Sequence, residues 1–144
     1  SAVGSNAVIA MVIGVIVTVM VQSSSITTSI MVPLAAAGVL RLEQAFPITI
    51  GANIGTTITA MGAALAVSGV NAQAGIEIAI VHLFFNLSAA ILIYPVKRIR
   101  QVPLRAARIL AAVAVKSRKL ALCYVATMFY GFPALLIYLT KVFD

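Results

Sequence analysis

The sequence predicts an all-α integral membrane protein, on three observations. Of its 144 residues, 62% are apolar and only 9% charged, against roughly 45–50% and about 25% in a soluble domain. The apolar residues fall in runs of membrane length. Two uncharged polar patches interrupt those runs: Gln22-Ser23-Ser24-Ser25 and Gly51-Ala52-Asn53-Ile54-Gly55-Thr56-Thr57. Polar backbone at membrane depth is costly unless it is buried in protein or lines a cavity. Patches of hydroxyl and amide groups in that setting read as a binding site for small ions.

At roughly 20 residues per crossing, the chain has room for about four or five spans or re-entrant pieces. Residues 1–45 form the first unit. Ala7 to Val21 and Ile26 to Leu40 are apolar arms, each about 22 Å long as helix and short of the ~30 Å hydrocarbon core. Two short arms joined by a polar tip predict a re-entrant helical hairpin; one long span broken at Gln22–Ser25 is the alternative. Residues 46–68 are long enough to cross, and Gly51–Thr57 predicts a discontinuous helix unwound near its middle. Gly69 to Gly75 is a short loop without a basic residue. Residues 76–95 form a full span stopped by Pro95, residues 96–119 a basic segment, and residues 120–140 a last span with a kink at Gly131-Phe132-Pro133.

Eight of the ten Lys and Arg lie in the basic segment: Lys97, Arg98, Arg100, Arg105, Arg108, Lys116, Arg118 and Lys119. The positive-inside rule places it in the cytoplasm. Counting back, Gly69–Gly75 is outside, Arg41 is inside, and the hairpin tip points into the membrane. Ile99, Val102, Ala106, Ile109, Leu110 and Val113 can share one helix face, with Arg105, Arg108 and Lys116 near headgroups; a solvated topogenic loop fits equally. The net charge of +7 does not indicate nucleic acid, because it is confined to this membrane-flanked segment. Cys123 is the single cysteine, which excludes an internal disulfide. No secretory signal opens the chain, and its start at Ser1 predicts a piece of a longer chain.

The patches share a chemistry. A helix ending at Val21 presents carbonyls, and one beginning near Ile26 presents free N–H groups and the positive end of its dipole, with Ser24 or Ser25 as N-cap. Thr27 and Thr28 add hydroxyls. In the second patch Gly51 and Gly55 permit departure from helical geometry, Asn53 brings a carbonyl and an amide, and Thr56 and Thr57 open the next helical run. Broken helices of this kind hold anion and coupling ion in many secondary transporters. Neither patch has a carboxylate, so a cation such as sodium is held by neutral oxygens. The competing reading is packing: Gly-x-x-x-Gly is also a helix-contact motif, and Ser and Thr bond back to their own helix. A nucleotide P-loop is excluded, because Thr56 and not Lys follows Gly55. His82 and Asn86 share a face and form either an ion path or a hydrogen bond to a neighbouring helix. One His, one Cys and three scattered carboxylates leave no catalytic constellation, so no enzyme, enzymatic cofactor or metal beyond sodium is expected.

Gln22-Ser23-Ser24-Ser25 with Thr28-Ser29, followed by Gly51 to Ala60, by His82-Leu83-Phe84-Phe85-Asn86 and by the basic segment after Pro95, resembles the type II sodium–phosphate cotransporter family and its bacterial relatives. The ordered pair of patches at this spacing is the specific part, and the resemblance runs from about Thr18 to Leu139. It implies sodium-driven transport of inorganic phosphate by a multi-pass protein of the plasma (inner) membrane. Family members carry two inverted repeats, each with this Gln-Ser-Ser-Ser patch; this chain has one and resembles the C-terminal repeat, so a second repeat is an implied partner. Carried over, Gln22, Ser23, Ser24, Ser25, Thr27 and Thr28 line the substrate and sodium sites, and Asn53, Gly55, Thr56 and Thr57 face them. Ala52 stands where some relatives have Ser. A carrier of another oxyanion or a dicarboxylate, and a non-transporting membrane subunit, are the alternatives.

Overall fold

A computed structural model of the chain describes residues 2–69 and 72–143, with side chains over 7–69 and 72–141. All its regular elements among the described residues are helical: α1 (Ala2–Val21), α2 (Ser24–Ala36), α3 (Leu42–Ala66), α4 (Ala72–Ile93), α5 (Lys97–Lys116), α6 (Arg118–Ala126) and α7 (Phe132–Phe143). The chain divides into two compact units, Ser1–Gln101 and Val102–Asp144. Three helical stretches are long and apolar enough to cross a membrane: Leu42–Ala66, Ala72–Ile93 and Arg118–Lys141. Ala7–Val21 and Ser24–Ala36 are apolar but shorter. The helix containing the first arm is longer than the sequence predicts, because it already begins at Ala2.

In the first unit α3 is central and packs against α1, α2 and α4. Its first turn is set by Gln44, whose Oε1 accepts the Arg41 N–H at 3.0 Å. The contact with α1 is made of small residues. Gly14, Gly51, Ala52 and Gly55 are all buried. A Cβ at Gly14 would fall on the Ile48 carbonyl, and one at Gly51 on the Met11 carbonyl. At Gly55 it would meet the Thr18 Cβ at 2.8 Å. The two backbones therefore touch. Such close approach is how helices associate where lipid removes the usual hydrophobic drive. The largest fully buried side chains among the described residues are Thr18 and Thr57, while many Ile, Leu, Val and Phe side chains are exposed, as a bilayer solvent permits.

This packing corrects the expectation of a broken helix. α3 is continuous from Leu42 to Ala66, through the whole Gly51–Thr57 patch. The glycines are spent on the α1 contact rather than on unwinding. The threonines close onto their own helix: Thr56 Oγ1 donates to the Ala52 carbonyl at 3.1 Å, Thr57 to Ile54 at 2.7 Å and Thr59 to Thr56 at 2.8 Å.

The polar tip between α1 and α2 is a two-residue turn, Gln22-Ser23. α2 ends where Gly38 takes φ +71° and the Leu34 carbonyl accepts both the Val39 and Leu40 N–H groups, at 3.0 and 3.1 Å. Of the predicted outer loop Gly69–Gly75, residues 70 and 71 lie outside the described residues, and helix resumes at Ala72. α4 runs to Ile93, close to the predicted stop at Pro95. Phe46 stacks on Tyr94 with ring centroids 6.2 Å apart, and the Arg100 guanidinium lies over the Tyr94 ring at 5.3 Å.

In the second unit Ser117 caps α6, its Oγ accepting the Leu120 N–H at 3.4 Å. Between α6 and α7 lies a π-helical turn, Thr127–Gly131. It ends at Gly131, the first residue of the predicted kink. Pro133 has no N–H to donate and its ring crowds the carbonyl four residues earlier; a wider turn just before it relieves both. The basic segment is not a solvated loop: it is the helix α5 over twenty residues.

Candidate functional site

The tip begins with Gln22, whose φ of +57° makes it the one non-glycine residue of positive φ among those described. Left-handed backbone costs an ordinary residue about 1–2 kcal/mol, and such outliers gather at functional sites. Ser23 follows in extended conformation and is the N-cap of α2, one residue earlier than the sequence predicts. Its Oγ accepts the Ile26 N–H at 3.3 Å. Its carbonyl accepts the Thr27 N–H at 3.1 Å and the Thr27 hydroxyl at 3.0 Å. Because that hydroxyl gives its proton to a carbonyl, the 2.9 Å contact between Thr18 and Thr27 Oγ1 has Thr18 as donor. The chain Thr18 O–H to Thr27 O–H to Ser23 C=O ties the tip to α1, with Thr18 fully buried and Thr27 nearly so.

Thr28 also bonds backward, its Oγ1 donating to the Ser24 and Ser25 carbonyls at 2.9 and 3.1 Å. The side chains of Gln22, Ser24 and Ser25 make no hydrogen bond to the described residues. They stand exposed or half-exposed at the tip, at the N-terminal end of α2, where the first backbone N–H groups of a helix lack intrahelical partners. The tip thus separates into a bonded base (Ser23, Thr27, Thr28, with Thr18) and an unbonded crest of one amide and two hydroxyls.

Helical geometry divides the second patch as well. At about 100° per residue, Gly51 and Gly55 face α1, and Asn53, Thr56 and Thr57 lie on the other side of α3. Asn53 is exposed and Thr56 half-buried, whereas Thr57 is fully buried. Thr49, half-buried, continues this polar stripe toward the helix start. The structure brings Gly55 and Thr27 together through Thr18, which touches both. Gly55 sits on the packing face, while Asn53 and Thr56 sit on the polar one. Thr18, which joins the tip to the α1–α3 contact, is not among the residues the sequence points to. Its signal was present: Gly14-x-x-x-Thr18 in α1 is the small-residue complement of Gly51-x-x-x-Gly55 in α3.

His82 and Asn86 do not pair through their side chains. Asn86 Nδ2 donates to the His82 carbonyl of its own helix at 3.3 Å, and the exposed His82 lines a shallow hollow of about 470 Å³ with Glu77, Ile78, Val81 and Phe85. A groove of about 420 Å³ between α1, Leu40–Gln44, Pro47, Ile48 and Tyr94 contains none of the predicted site residues. Among the described residues no three His, Cys, Asp or Glu side chains come together as a metal centre would require.

Membrane-length apolar helices and backbones in contact through glycine define a helical membrane protein, with uncharged polar side chains at the α1–α2 tip and on α3. The chain belongs to the Na+/Pi-cotransporter family, which it matches over residues 1–139. It is 43% identical over 125 residues to sodium-dependent phosphate transport protein 2B of Bos taurus, and 42% identical over 125 residues to that of Homo sapiens; each alignment covers 87% of this chain and 18% of the relative. It is 43% identical over 126 residues to sodium-dependent phosphate transport protein 2A of Oryctolagus cuniculus, covering 88% of this chain and 20% of the relative. The chain therefore spans about a fifth of the length of the curated relatives it matches. No solved structure matches it. The family is one of transporters and not of enzymes.

Proposed function

We propose that this chain supplies one half of the midplane site of a sodium-coupled carrier of inorganic phosphate working by alternating access, a second inverted repeat supplying the other half. The carrying observation is the unbonded crest Gln22, Ser24 and Ser25 at the N-terminal end of α2, on a tip anchored by the buried Thr18–Thr27 bond. A helix N-terminus with free N–H groups favours an anion. The neutral oxygens of the crest and of Asn53 and Thr56 suit a hard cation. In this reading the first helix pair is re-entrant, with its tip inside the bilayer. Asn53 lies eleven residues beyond the start of α3, about 17 Å along its axis and so about half-way through a ~30 Å core.

Sodium binds first, and its charge offsets that of phosphate in a site without Arg or Lys. Sodium and phosphate are cargo; the chain's own groups orient them and replace their hydration shells. The protein resides in the plasma (inner) membrane with α5 on the cytoplasmic side.

The test is uptake of labelled phosphate into proteoliposomes holding the full-length protein that carries this sequence, under an inward sodium gradient and in a choline control. Uptake is expected to need sodium, and Ser24→Ala or Asn53→Ala to lower it on the order of tenfold, since a hydrogen bond to a charged group is worth about 1.5–3 kcal/mol. Equal uptake in choline would refute the coupling. Variants that transport normally would remove these residues from the site. Competition by sulfate or a dicarboxylate that matches unlabelled phosphate would reassign the cargo.

A further inference from the structure

The helix α5 has two faces that transport does not account for. Its apolar face carries Ile99, Val102 and Ile109, which are 46%, 65% and 66% exposed among the described residues. Along one edge of that face Arg98, Arg105 and Lys116 fall in a single row, seven and then eleven residues apart, spacings that return to nearly the same angle at about 100° per residue. All three are exposed. No Asp or Glu occurs between Glu77 and Asp144, so the row has no acidic neighbour on its own helix.

Both ends of α5 join membrane-length helices through very short links. Three residues separate it from α4, and Ser117 alone separates it from α6. A helix tethered this closely at each end to spans cannot stand far from the bilayer surface. Its apolar stripe, too polar overall to cross and bordered by basic residues, matches helices that lie in the interfacial plane. Long basic side chains along such an edge extend their charged ends to the headgroups.

We propose that α5 lies flat in the headgroup layer, with Ile99, Val102 and Ile109 among the acyl chains, and that Arg98, Arg105 and Lys116 together form a binding row for anionic phospholipid. The partner follows from charge complementarity: a row of cations beside an apolar stripe recognises a lipid that offers a net negative headgroup above hydrocarbon. Cytoplasmic leaflets are the anionic ones, which accords with the side of the membrane that the basic segment takes under the positive-inside rule. The inference stands on membrane embedding and not on the cargo.

The full-length protein carrying this sequence is labelled with bimane at single cysteines in a background from which every native cysteine, Cys123 included, has been removed: Val102→Cys and Ile109→Cys on the apolar face, Ala107→Cys and Ala111→Cys away from it. Each is reconstituted with acyl-brominated phosphatidylglycerol or phosphatidylcholine at equal mole fraction. Quenching is expected at residues 102 and 109 and not at 107 and 111, and to be at least twofold stronger with brominated phosphatidylglycerol. The triple variant Arg98→Gln, Arg105→Gln, Lys116→Gln is expected to erase that preference while quenching at residue 109 persists. No quenching at residues 102 and 109 would overturn the interfacial position, leaving a solvated or protein-covered helix. Equal quenching by both lipids in the unmodified row would overturn the anionic-lipid site. The labelled single variants need no charge change, so a misfolded triple variant leaves the test intact.

Discussion

Gly51 and Gly62 are both interior residues of α3, yet a methyl group would meet different surroundings at each. At Gly51 it falls on the Met11 backbone; at Gly62 nothing lies within 4 Å. Gly51→Ala must push α1 away, and overpacking of this kind costs about 1–3 kcal/mol. Gly62→Ala should do the reverse, gaining up to about 1 kcal/mol from helix propensity. Thermal unfolding of the purified protein in detergent would show a lower midpoint for the first and an equal or higher one for the second; matching shifts would mean that the backbones of α1 and α3 are not in contact. The same residues show where the sequence was ambiguous. Unwinding and close packing both need a missing side chain, so Gly51 and Gly55 read the same in either case. What decides between them is Gly14 and Thr18, far upstream, and only the fold sets these opposite. Asn53 is different: an amide among apolar residues stands out in the sequence however the backbone runs, and it is exposed on α3.

At the scale of elements, the α1–α2 tip depends on one buried bond between helices. Thr18→Val keeps the volume and removes the donor to Thr27, while Thr27 still donates to the Ser23 carbonyl. The expected loss is about 1 kcal/mol, within the range of interhelical hydrogen bonds in membranes. Thr28→Val is the control. Its hydroxyl only returns to carbonyls of its own helix, and such back-bonding adds little, so its effect should stay within about 0.5 kcal/mol. Hydrogen exchange at the Ser23–Thr27 amides would separate them: faster in Thr18→Val, unchanged in Thr28→Val. Equal acceleration would sink the idea that the tip is fastened through Thr18. The basic segment fitted helix and loop equally, and only the structure decides for α5. The turn at Gln22-Ser23 was legible because it is a local pattern of polar residues between apolar ones. The continuity of α3 was not, since threonine back-bonding and helix unwinding draw on the same residue types. Pro133 marks the place of an irregularity but not its kind, because proline demands relief without specifying that a π-turn supplies it.

At the scale of the whole molecule, burial grades the three membrane-length helices. The buried share of the apolar stretch is 28% in α3, 6% in α4 and none in Arg118–Lys141, so α3 is the most enclosed of the three and the other two bury almost no residue completely. The sequence announced this environment through composition, but an apolar surface made for lipid and one made for another repeat have the same residues. The proposed orientation rests on charge. In it the eight basic residues of positions 97–119 lie on the cytoplasmic side under the positive-inside rule, and α4 carries the chain to the opposite side, where residues 67–69 lie. Single cysteines at Ser68→Cys and Lys119→Cys, in a background with every native cysteine including Cys123 removed, report this directly, since both positions are exposed. A membrane-impermeant maleimide on intact cells should label residue 68 at once and residue 119 only after permeabilisation. Lys119→Cys leaves seven of the eight cations in place, too small a change to reverse the bias. The opposite pattern would put α5 outside, reverse α3, and turn the tip of the first helix pair to open toward the other compartment. Labelling of both positions on intact cells would mean that α4 does not span, and the midplane position of Asn53 would fall with it.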